Sequence, residues 1–180
     1  MFNNINWLDI LFVILLLGMV YKGTKIGVGG QIIALIGGFT IVFVSISYYT
    51  VLSEAIFGFL LQRWAKPVSF FAIVLGVFTI VKTAERLSQV VIGEEVSALE
   101  KFVGALIAGV RAAMLFGVLG MILVLTPIQY TRFAALEGSK TCKVFMEMDV
   151  SIYCWMTSGL PEDKQRGKED VMRELKEVVE

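Results

Sequence analysis

Two charged residues, Asp9 and Arg111, fall inside the long apolar runs of this chain. Ionised groups are expensive in hydrocarbon, on the order of 3 kcal/mol for a central arginine, and are normally paired or turned toward water. Arg111 lies ten residues past Lys101, about 15 Å along a helix that rises 1.5 Å per residue. Asp9 stands about one turn into the first run. If the first and last runs are antiparallel, Asp9 is about 6 Å and Arg111 about 21 Å below the same membrane face. A long guanidinium closes much of that gap, directly or through water. The two residues therefore read either as an internal ion pair or as the lining of a polar route.

Other chemistry is sparse. The chain has no histidine, which removes Ser-His-Asp and Cys-His triads, His-ligated metals and the usual neutral-pH acid and base. Asp9 is the single acid within an expected span, so an aspartyl dyad would need a second copy of the chain. Gly27-Val28-Gly29-Gly30 has neither the following Lys-Ser/Thr nor the preceding strand of a nucleotide loop. No catalytic residue, metal or cofactor is expected. Cys142 and Cys154 are twelve residues apart. In an extracytoplasmic tail a disulfide between them would add about 3 kcal/mol by the chain-entropy argument, and in a cytoplasmic one they are ordinary thiols.

The elements that hold these residues follow from composition. Apolar residues make up 57% of the 180, charged residues 18%, and mean hydropathy is +0.77. Sixteen basic and sixteen acidic residues cancel, so no net field recruits nucleic acid. Four apolar runs, about 5–20, 26–47, 68–81 and 102–125, approach the roughly 20 residues a helix needs to cross a bilayer. Barrel-type alternation is absent. The first run lacks a basic leader and a small-x-small cleavage site, so it reads as a retained span. The expected fold is an all-α integral membrane protein, a four-transmembrane-helix bundle with amphipathic connecting helices. Residues 1–130 form the membrane domain, 131–160 a small mixed extramembrane segment, and 161–180 a charged tail with a short amphipathic helix.

The connections carry pattern of their own. Residues 51–64 read as an interfacial or re-entrant helix, and 83–101 as two helical pieces hinged at Gly93. Trp7, Tyr21, Tyr48, Tyr49, Trp64 and Tyr130 fall where spans meet water. Gly30, Ala34 and Gly38 recur every four residues on the second run. Ala105, Gly109, Ala113 and Gly117 repeat the device on the fourth, with Gly104 beside them. Such stripes let helices approach closely, within one chain or between chains. Basic residues after the first run (Lys22, Lys25) place both termini outside, although the count of five basic residues for each side is a tie.

Three stretches together resemble the CvpA-like family, the colicin V production proteins of bacterial inner membranes. Asn6-Trp7-Leu8-Asp9 is similar to the family's aromatic-x-Asp opening. Lys22-Gly23, then Gly27 and Gln31-Ile32-Ile33, resemble its basic-glycine connection into the second span. Leu99-Glu100-Lys101 with Gly104 and Arg111 resembles the start of its fourth span, with Ala108 and Ala112 where glycine is usual. The resemblance covers roughly residues 6–125. It implies a multi-pass inner-membrane protein serving colicin V production or export and envelope homeostasis, without enzyme activity. Its expected partners are the lipid bilayer, other membrane proteins and a second copy of itself.

Overall fold

The computed structural model describes residues 6–56, 62–91, 97–159 and 167–177. Among them every regular element is helical: α1 (Trp7–Ile56), α2 (Gln62–Val91), α3 (Ala98–Leu125), α4 (Gln129–Phe133), a π-helical stretch (Ala134–Gly138), α5 (Lys140–Thr157) and α6 (Lys168–Glu177). Four segments are long and apolar enough to cross a membrane: Trp7–Ile26, Val28–Ala55, Arg63–Leu87 and Ala98–Leu125. The protein is an all-α, multi-pass membrane protein, as its composition requires.

The first two spans are limbs of one helix. Helical backbone runs without a break through α1, yet both limbs lie against the same stretch of α3. The Phe12 ring sits 5.0 Å from that of Phe116, and Gly38 lies against Met114. In a straight helix residues 12 and 38 would be about 39 Å apart. The helix is therefore folded back on itself, and the reversal falls between Gly23 and Gly38, where the sequence concentrates Gly27, Gly29 and Gly30. Glycine is a recognised site of sharp helix bending.

α3 is the axis of the bundle. Of its apolar window 61% is buried inside the protein, against 11% for the first limb. Ser97 caps α3, its hydroxyl accepting from the Glu100 amide while the Glu100 carboxylate accepts from the Ser97 amide. Thr126-Pro127 ends the helix. The core beneath is aromatic and aliphatic, with Phe12, Phe116 and Phe145 in mutual ring contact and Tyr49 edge-on to Phe70.

The helix limits differ in detail from the apolar runs. α2 starts at Gln62, five residues ahead of Pro67, and carries that proline inside its first turns. It continues past Lys82 to Val91, and its apolar span reaches Leu87, beyond the end of the 68–81 run. The Gly93 hinge and part of the 51–64 connector lie outside the described residues. The segment after residue 130 packs onto the bundle: Cys142, Met146, Val150 and Tyr153 of α5 belong to the same buried core as Met121 and Leu125 of α3. In α6, Val171 is buried against that core too, and Met172 packs at its edge.

Candidate functional site

Arg111 sits thirteen residues into α3, about 20 Å from its start, and is 5% exposed. The structure brings it to Glu85 of α2 and not to Asp9. Its Nη1 lies 3.7 Å from Oε1 of Glu85, whose Oε2 receives Lys82 Nζ at 2.5 Å. The result is a cation–anion–cation row, with the carboxylate 2% exposed in the middle. Burial strengthens the attraction between such charges while penalising each of them singly, so the members depend on one another.

The Asp9–Arg111 pair is thus corrected, and the reason is local. Asp9 occupies the first turn of α1, where helix-end amides favour an anion. Its Oδ2 accepts from the Asn6 amide at 3.2 Å, and its Oδ1 accepts from the Ser139 hydroxyl at 2.6 Å. Ser139 in turn caps α5, accepting from the Cys142 amide at 3.0 Å, and the Asn6 side chain donates to the Ala134 carbonyl at 2.8 Å. Asp9 ties the start of α1 to the start of α5.

Around the Arg111 row the folded-back helix closes a cavity of about 110 Å³. Lys22 comes from the first limb and Gln31 from the second, while Lys82, Glu85 and Arg111 come from α2 and α3. Gln31 is 2% exposed, and its carbonyl oxygen has no hydrogen-bond partner. Sequence reasoning missed Glu85, Gln31 and Lys82 as one constellation. The available signal was the i,i+3 spacing of Lys82 and Glu85 inside an apolar run that resumes at Leu87.

The small residues act unevenly. Gly104 meets Gly23, where a Cβ would come within 2.7 Å of the Gly104 carbonyl and 2.6 Å of Ala108. Gly117 meets α5, where a Cβ would stand 2.6 Å from the Phe145 carbonyl and collide with Asp149. Gly38 has ordinary room, with Met114 at 3.6 Å, and Gly109 has more, with Leu16 at 4.0 Å. A Cβ at Gly30 would meet Ile26 of its own helix. Ala34 and Ala113 are buried, and Ala105 is half-buried. Three further close approaches escaped the stripe reading: Gly23 itself, Gly37 against Val81, and Gly120 against Cys142.

The tail contributes a second buried acid. Asp149 is fully buried on α5, neither carboxylate oxygen has a hydrogen-bond partner, and desolvation pushes its carboxyl up to about 9. Cys142 is buried as well, and burial, with the Asp9 charge nearby, pushes its thiol up to about 11. Of the two readings of the cysteines, the structure has free thiols: Cys142 and Cys154 are not joined. They sit on one helix about 18 Å apart along its axis, far beyond the roughly 7 Å at which two Cα atoms can be bridged. Among the described residues no group of three or more acidic or cysteine side chains is placed to hold a metal ion.

Compared with known proteins, residues 8–150 match the family described as colicin V production protein. No curated protein and no solved structure matches.

Proposed function

The chain belongs to the colicin V production protein family, and from that premise we propose that it is a non-enzymatic accessory protein of the bacterial inner membrane. It supports colicin V production and export and the upkeep of the envelope by holding other membrane proteins, or a second copy of itself, against its helices. The observation that carries this reading is how the bundle uses its polar groups. Arg111 is held by Glu85 and Asp9 by Ser139, at separate places, so both serve to fix helices. A rigid bundle with an apolar exterior (Ile14, Leu17, Ile36 and Leu106 are all more than 45% exposed) presents a fixed surface to lipid and to partner helices. The end carrying Lys22, Lys25, Lys82, Arg86 and Lys101 faces the cytoplasm, with both termini outside.

The test pairs photo-cross-linking at Leu106, beside the half-buried Gly109, with a colicin V release assay in cells. Gly109→Leu keeps membrane insertion, because the site has room within the chain, and loses both the cross-link and toxin release. A single-channel current from the purified protein, altered by Arg111→Gln, would replace the scaffold reading with a pore.

A further inference from the structure

The cavity beside Arg111 has properties that structural helix-fixing does not need. Three cations line it, Lys22, Lys82 and Arg111, against the one carboxylate of Glu85. The arginine-to-carboxylate approach of 3.7 Å is an ion-pair distance, longer than a direct hydrogen bond, so Glu85 does not saturate the guanidinium. Gln31 adds a buried carbonyl with no donor. A buried acceptor left unpaired costs about 1–3 kcal/mol, which a ligand able to donate would offset. The volume of about 110 Å³ is several times what one water requires, enough for a polyatomic group.

We propose that this cavity binds a phosphate monoester group, with Arg111, Lys82 and Lys22 donating to its oxygens and Gln31 Oε1 accepting from its remaining O–H. The sign of the charge fits, since the lining charges sum to two positive and a monoester is an anion, −1 when it keeps one proton and −2 when it does not. Gln31 and Glu85, both acceptors, favour the form that keeps one proton. A carboxylate or a diester has no O–H to offer Gln31, and a halide leaves most of the volume empty. Guanidinium and ammonium donors to phosphate are the strong, charge-assisted class of hydrogen bond. The site stands whichever cellular process the protein serves. The same chemistry arrives in two ways, as a soluble phosphate compound from the aqueous end or as the headgroup of a lipid entering between helices.

The test uses the full-length chain. Inorganic phosphate is titrated into the detergent-purified protein, and lipid retention is measured by native mass spectrometry from bilayers containing phosphatidic acid, a monoester, or phosphatidylglycerol, a diester. The expected result is saturable binding of at least one monoester source. Where that source is lipid, phosphatidic acid is held about tenfold more strongly than phosphatidylglycerol. Binding of phosphate alone assigns a soluble ligand, and retention of phosphatidic acid alone assigns a headgroup. Lys22→Gln and Gln31→Leu each weaken the observed binding about tenfold, the equivalent of one lost charge-assisted contact. Both variants fold, because Lys22 is exposed at the mouth and Gln31→Leu removes a polar atom that has no partner. Absence of saturable monoester binding, equal retention of the two lipids, or unchanged binding in both variants overturns the proposal.

Discussion

Two carboxylates are buried beside α3, and the protein treats them in opposite ways. Glu85 lies between Arg111 and Lys82, with cations on both sides. Asp149, less than two helical turns further along α3 at Gly117, has no hydrogen-bond donor among the described residues, and burial raises its carboxyl to about 9. One acid is matched by cations, while the other is kept neutral by its own proton. A buried charge is thus tolerated in two ways, by pairing or by protonation, and each leaves a different signature when perturbed.

The largest effect is expected where pairing is broken from one side. Glu85→Leu leaves Arg111 buried without its carboxylate and should cost about 3–5 kcal/mol, read as a lowered unfolding midpoint in bicelles. A variant that unfolds like the wild type would mean that Arg111 reaches water and that the row is incidental. Next comes the contact that seats the neutral acid. Gly117→Val puts branched carbon against the Phe145 carbonyl and Asp149, and should cost about 3 kcal/mol by prising α5 from α3. Gly109→Ala is the control and should cost less than about 1 kcal/mol, since only Leu16 comes within 4.0 Å.

The protonated acid gives an effect that is read only as a pH signature. Asp149 titrates near 3.8 when unfolded and about 9 when folded. Below pH 4 it is protonated in both states and contributes nothing to the pH dependence. As pH rises toward 9 the unfolded chain releases a proton that the folded protein holds, so stability falls across that window and then levels off. Asp149→Asn, which keeps the shape without the titration, should match the wild type at pH 4 and become the more stable of the two as pH rises toward 9. An equal shift at both values would show that Asp149 is charged throughout.

Much of this arrangement was legible in the sequence and some was not, for physical reasons. Spans are readable because hydrocarbon imposes length and composition on every helix that crosses it. Arg111 stood out for the same reason, as the lone charge in its run. Its partner did not, because Lys82 followed closely by Glu85 and Arg86 looks like the end of a span, whereas α2 carries its apolar face on to Leu87. Periodicity also gives no sign that two runs share one unbroken helix, since the reversal depends on both limbs packing against α3. The buried stripe of α5 (Cys142, Met146, Val150, Tyr153, Thr157) follows helical spacing and was available to be read. The mixed average composition of 131–160 hid it. Asp149 in that stripe was not predictable, because its neutrality comes from the α3 surface it meets and not from its neighbours in sequence.

A double-mutant cycle on Glu85 and Arg111 tests the central claim most directly, with unfolding free energies measured for Glu85→Leu, Arg111→Leu and the two together. If the row holds the bundle by pairing, each single variant is strongly destabilised and the double variant recovers, with a coupling energy of about 2 kcal/mol or more. Additive losses, with no recovery when both charges are gone, would contradict the account.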